Sequence, residues 1–144
     1  MRLSKLADYA VLTMSQASRH CGGQRVSAAE LAQETGLPTP TVQKLVSRLV
    51  GAGLLRSVRG AGGGLQLARP AAAITVADIV EAVEGPIALV ECIEGEGCTL
   101  DHSCTAKAHW PQVNDAVRGA LANISLTQLA ATQLPQTHAL KETV

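Results

Sequence analysis

At 144 residues, 47% of them hydrophobic, the chain suits one compact domain or a small domain with an appendage, and it has ample apolar content for a core. No run of about 18 apolar residues exists to span a bilayer, and the opening Met1-Arg2-Leu3-Ser4-Lys5 lacks a secretory signal's apolar stretch, so the expectation is a cytoplasmic protein with no membrane partner. The formal net charge of zero hides two opposed halves: residues 1–69 carry nine Lys or Arg against three acids, net +6, and residues 70–144 carry three against nine, net −6.

A basic half suits a polyanionic partner and an acidic half repels one, although two ordinary solvated faces would carry the same charges. Trp110 and Tyr9 are the only aromatic residues, so packing rests on Leu, Val, Ile and Ala, a composition that favours helices. In residues 3–18 the apolar positions Leu6, Tyr9/Ala10, Thr13/Met14 and Ala17 recur at helical spacing and define one buried stripe. Cys21 follows in a glycine-rich connection and reads as a free thiol with no cofactor role. Ser27-Ala28-Ala29-Glu30 is a capping-box sequence for a short helix that Gly36 ends. Thr39 is placed to cap the next helix, with Pro40 at its first position and Val42, Leu45, Val46 and Leu49 on one face.

Two short helices joined by a glycine-containing turn predict a helix-turn-helix whose second helix enters a major groove of double-stranded DNA. Thr39, Thr41, Gln43, Lys44, Ser47 and Arg48 are the candidate contacts, as hydroxyls and an amide that read base edges and cations that hold phosphates. Residues 53–58 and 65–68 read as strands around Arg59-Gly60-Ala61-Gly62-Gly63-Gly64, a hairpin wing whose Arg59 is placed to reach a minor groove or backbone. The glycine run is not a nucleotide-binding loop, because no Gly-Lys-Ser/Thr follows.

Past Pro70, residues 75–84 carry a stripe of Val76, Ile79, Val80 and Val83, capped by Thr75 and Asp78 and stopped by Gly85-Pro86. Residues 111–123 repeat helical spacing at Val113, Val117, Ala120, Leu121 and Ile124, and Ser125 to Gln128 opens a last short helix. A long apolar-striped helix with little of its own subunit to pack on predicts a homodimer. The expected division is a DNA-binding domain at 1–69, a ligand-bearing loop with dimerisation helices at 70–132, and a mobile tail at 133–144. The fold class is mainly α: a winged helix-turn-helix with a small β-hairpin wing and a C-terminal dimerisation helix.

Between the last two stripes lies Cys92-x5-Cys98-x5-Cys104, with Glu94-Gly95-Glu96-Gly97 giving the chain freedom to curl. Three soft ligands on one loop select zinc, copper(I) or an iron-sulfur cluster. Disulfide pairing would leave an odd thiol, and nothing points to an oxidising compartment. His102 and His109 are nearby candidates for a further ligand.

The opening residues 1–10, the wing Val58-Arg59-Gly60-Ala61-Gly62-Gly63-Gly64 and the spaced cysteines together resemble the Rrf-type winged-helix regulators over roughly residues 1–130, with their IscR-, SufR- and NsrR-like branches. The resemblance implies a homodimeric, iron-sulfur-dependent transcription factor governing cluster assembly of the Suf or Isc type, or redox and nitric oxide stress genes. A 2Fe-2S cluster is expected ahead of 4Fe-4S. The IscR-like branch has a histidine ligand where this chain has Lys107, whose ammonium cannot ligate. The NsrR-like branch instead resembles this chain at Asp8, which makes Asp8 of the partner subunit the leading fourth ligand. Two alternatives stand beside this: a zinc- or cluster-carrying structural or electron-transfer protein, and a cluster-free, metabolite-responsive repressor. An enzyme is not expected, since no Ser/His/Asp or paired-carboxylate arrangement is evident.

Overall fold

The computed structural model describes residues 1–20, 24–60, 62–95, 98–100 and 103–131. The expectations placed on Cys21, His102 and the tail lie outside them. The first helix, α1 (Lys5–Ser18), begins two residues later than the apolar repeat suggests, because Ser4 adopts extended backbone and its hydroxyl accepts from the Ala7 N–H. Capping by Ser4 satisfies one of the donors a helix start leaves orphaned. Along α1 the inward face is Ala7, Ala10, Thr13, Met14 and Ala17, and small residues there let neighbouring helices approach closely.

The second helix, α2 (Ala28–Thr35), carries the expected capping box between Ser27 and Glu30 and stops at Gly36, whose φ of 74° is the left-handed conformation only glycine adopts freely. The α1 and α2 ends are joined by His20, whose ring meets the Glu34 carboxylate at 2.8 Å. The His20 hydrogen bond holds that carboxyl below its ordinary range, so any stabilisation from it is present at neutral pH and lost as the pH falls through the lowered value.

The third helix, α3 (Thr39–Gly51), differs from expectation at its start: Thr39 is already helical, Pro38 occupies the cap position without a side-chain bond, and Pro40 is second rather than first. Proline is tolerated at either place, because the amide it lacks has no intrahelical acceptor there. The wing follows as β1 (Leu55–Val58) paired antiparallel with β2 (Gly64–Leu67), in the register Leu55 opposite Leu67 and Val58 opposite Gly64. Its turn is tight: a Cβ on Gly63 would lie 2.5 Å from the Val58 carbonyl oxygen, which only glycine avoids.

A single 3₁₀ turn (Ala71–Ala73) leads to α4 (Val76–Glu84), where Thr75 and Asp78 form the predicted capping box. A four-residue helix, α5 (Glu91–Glu94), opens the cysteine segment; no periodicity in so short a stretch foretells it. The long helix α6 (Trp110–Ala122) and the short α7 (Leu126–Ala131) complete the fold. Ser125 and Gln128 exchange hydrogen bonds in the expected box. Leu126 is completely buried, and its N–H donates to the Ile74 carbonyl while Val76 N–H donates to Ile124, so α7 is laced to the start of α4.

One contiguous core joins α1, α2, α3, the wing, α4 and α7, with Met14, Leu31, Leu45, Leu49, Leu54 and Ile79 fully enclosed. It runs across the Arg69–Pro70 position without interruption. Helix α6 is different, since Asn114 is its only buried residue.

Candidate functional site

Helix α3 turns Val42, Leu45 and Leu49 into the core, and this decides what it presents to solvent. Thr39, Gln43, Lys44, Ser47 and Arg48 are exposed on the outer side, and Thr41 is half-buried. The sequence-predicted contacts therefore share one helix and, Thr41 apart, one open face. Hydroxyl, amide and ammonium groups on such a face match the donors and acceptors of a major-groove floor and its flanking phosphates.

Arg48 has a second partner that its position on the helix does not announce. One guanidinium N–H donates to the Val83 carbonyl at 2.5 Å, in the last turn of α4, where carbonyls lack intrahelical partners and the helix dipole favours a cation. Arg48 therefore ties α3 to the end of α4, with its other donors left over for a further contact.

Arg59 is exposed at the tip of the wing. The wing's direction is fixed from beneath, because Val26 and Leu65 exchange both backbone hydrogen bonds (3.2 and 2.8 Å) and Arg25 donates to the Gly62 carbonyl at 2.9 Å. Sequence reasoning missed Arg25 as a wing anchor; its partner lies 37 residues away, so no local pattern signals it.

Cys92, Cys98 and Cys104 are free, half-buried thiols. Cys92 lies in α5, which ends at Gly95 in the left-handed conformation, φ 85°. Among the described residues no three His, Cys, Asp or Glu side chains converge into a group that could hold a metal ion. His109 is exposed and precedes α6 without capping it.

Asp8 is exposed in the first turn of α1. Among the described residues its carboxylate has no hydrogen-bond or ion-pair partner. One turn before it, Ser4 donates its hydroxyl to the Glu84 carboxylate. The start of α1 thus adjoins the end of α4, where the chain departs toward the cysteines.

On α6, Val113 (42% exposed) faces solvent together with Ala116 and Ala120, as does Ile124 (41%) just past the helix end. Met1 and Leu3 from the N-terminus border a shallow apolar groove with Ala116, Val117, Ala120 and Leu121. Among the described residues no helix is long and apolar enough to cross a membrane.

Comparison with known proteins agrees with this architecture. The Rrf2 family model, described as an iron-dependent transcriptional regulator, matches residues 3–132. The HTH-type transcriptional regulator IscR of Photorhabdus laumondii is 35% identical over 133 residues, covering 92% of this chain and 81% of the relative. Among solved structures, CymR, the global cysteine regulator of B. subtilis, superposes with a TM-score of 0.74 at 32% identity, covering 93% of this chain and 99% of that one. IscR of T. potens does so at 0.70 and 30% identity, covering 91% and 87%. With a basic winged helix-turn-helix and a family match over nearly its whole described length, the chain belongs to the Rrf2 family of transcriptional regulators.

Proposed function

We propose that this protein is a homodimeric, iron-sulfur-dependent DNA-binding regulator that reads its operator with α3 and the wing. The observation that carries the reading is the joint presence of an open polar face on α3 and three free thiols on one segment beyond α4. The donor set suits an iron-sulfur group, since three unoxidised thiols are the ligands such clusters take. Cys92, Cys98 and Cys104 would hold it, with a 2Fe-2S form favoured and Asp8 of the partner subunit supplying the fourth ligand. When bound, the cluster supplies redox and nitric oxide sensitivity. The genes most in keeping with this are those of cluster assembly or of redox and nitric oxide stress.

The unpartnered apolar face of α6 supports a two-fold dimer, which also provides the paired recognition helices that a palindromic operator needs. Thr39, Thr41, Gln43, Lys44, Ser47 and Arg48 serve the major groove, and Arg59 serves the minor groove or backbone. Gel-shift titration tests this half of the reading. Arg59→Ala is expected to weaken binding to all sequences, whereas Gln43→Ala is expected to relax preference at particular base pairs by about 1 to 3 kcal/mol each. Unchanged operator binding in both variants would remove α3 and the wing from the interface.

Asp8 carries a separate expectation. An oxygen ligand is harder than sulfur and more weakly held by iron, so it leaves one coordination position open to exchange. Asp8→Ala is expected to give a spectroscopically altered or shorter-lived cluster and to loosen the coupling between cluster state and DNA affinity, with His109→Ala as the matched control. Loss of these properties in the His109 variant alone would make the histidine the ligand.

A second reading has its own support. Likeness to CymR, described as a global cysteine regulator, favours a cluster-free regulator answering to a small metabolite. Anaerobic purification followed by an absorption spectrum and iron and sulfide analysis separates the two. A brown protein with charge-transfer bands supports the cluster; a colourless one without sulfide supports the metabolite or zinc.

A further inference from the structure

Asn114 is the one buried residue of α6, 5% exposed, on a helix whose other inward positions are apolar. It lies four residues after Trp110, three before Val117 and seven before Leu121, all half-buried and on the same side of the helix. A hydrophobic residue is the ordinary occupant of such a position, and asparagine is a weaker helix former than leucine or alanine. Its presence therefore needs a tertiary reason.

The reason is visible in its partners. Asn114 Oδ1 accepts from the Leu89 N–H at 2.9 Å, and Asn114 Nδ2 donates to the Ile87 carbonyl at 2.9 Å. Of the short side chains, only asparagine's amide carries an acceptor and a donor side by side, so it can satisfy both backbone groups at once. The two bonds imitate a rung of β-sheet in a stretch that has no strand partner. Among the described residues, residues 86–90 make two hydrogen bonds to Asn114, besides the Val90 carbonyl that accepts from the Ile93 N–H at the start of α5. Arg118 meanwhile meets Glu81 at 2.7 Å and ties α6 to α4, so the clamp hangs on a helix that is itself held in place. Two residues beyond Leu89, α5 begins, and Cys92 is its second residue.

We infer that Asn114 is a positioning residue for the thiolate segment: its amide holds residues 87–89 against α6 and so sets where Cys92 is presented. The consequence for a cluster rests on the proposed function; the clamp and its effect on the Cys92 thiol do not.

The test uses the full chain with Asn114→Ala, which removes both bonds, and Asn114→Asp, which keeps the acceptor for Leu89 but loses the donor to Ile87. Gln112→Ala, exposed on the same helix, is the control. In the cluster-free proteins, amide exchange at Leu89 and labelling of Cys92 by a thiol reagent are expected to accelerate most in the alanine variant and less in the aspartate variant, with α1 to α3 unchanged. In reconstituted protein, loss of the cluster to a chelator is expected to be about 10- to 100-fold faster, the usual cost of losing a group that orients a ligand. The visible spectrum should shift as well. Exchange and labelling at wild-type rates in the alanine variant would overturn the inference. So would acceleration spread over the whole chain, which marks general destabilisation. Should the wild-type protein hold no iron or sulfide, the cluster reading fails, and exchange and labelling still decide the clamp.

Discussion

Replacing any one of Cys92, Cys98 or Cys104 with Ser is expected to abolish stable cluster loading, because in the proposed site each thiolate would supply one of few strong bonds to iron and a serine hydroxyl is a far poorer soft-metal ligand. The loss should be total in iron and sulfide analysis, not partial. It should also leave the fold standing. The core residues lie in α1 to α4, the wing and α7, none of the three thiols is among them, and substitutions outside such a core usually move stability by within about 0.5 kcal/mol. Thermal unfolding of the Cys98→Ser protein should therefore match that of cluster-free wild type. Full iron and sulfide content in that variant would refute the three-thiolate cradle. Cys21→Ser, on the same assay, is expected to change nothing.

The second large effect concerns stability. Leu45 is fully buried on the inner face of α3, so Leu45→Ala leaves a cavity and is expected to cost about 2 to 5 kcal/mol. Against a total of about 5 to 15 kcal/mol for a typical domain, that is a large share. Operator binding should fall with it, since α3, the proposed recognition helix, is seated by this side chain. Gln43→Ala, two residues away and exposed, should leave the urea midpoint nearly unchanged. A midpoint for Leu45→Ala indistinguishable from wild type would mean that α3 is not packed as described.

The contrast between Leu45 and Gln43 also shows which parts of the molecule were legible from residues alone. The stripe Val42, Leu45, Val46 and Leu49 names the buried face of α3, and the opposite face follows by geometry. Ser27 with Glu30, Thr75 with Asp78 and Ser125 with Gln128 each mark a helix start correctly, because a capping box is completed within four residues. The start of α3 was misjudged by one residue for a related reason: Thr39 is a good cap by chemistry, but the backbone enters the helix earlier, at Pro38.

What local pattern cannot contain is a pairing between distant segments. Arg48 looks like one more cation on an open face until the end of α4 arrives beside it, 35 residues later in the chain. Arg25 reads as surface charge until the wing folds back to it. Asn114 is the instructive case, because its anomaly was already present in the sequence as a polar residue within an apolar helical stripe, yet its partners, 25 and 27 residues earlier, were not. The sequence by itself determined six of the seven α-helices described, the hairpin and the buried stripes of α1, α3 and α4, since these depend on periodicity and capping within a few residues. Only the tertiary structure decided how the wing is aimed, which carbonyl Arg48 takes and how the cysteine segment is moored to α6, because a hydrogen bond between remote backbone and side-chain groups exists only once the core has brought them within about 3 Å of each other.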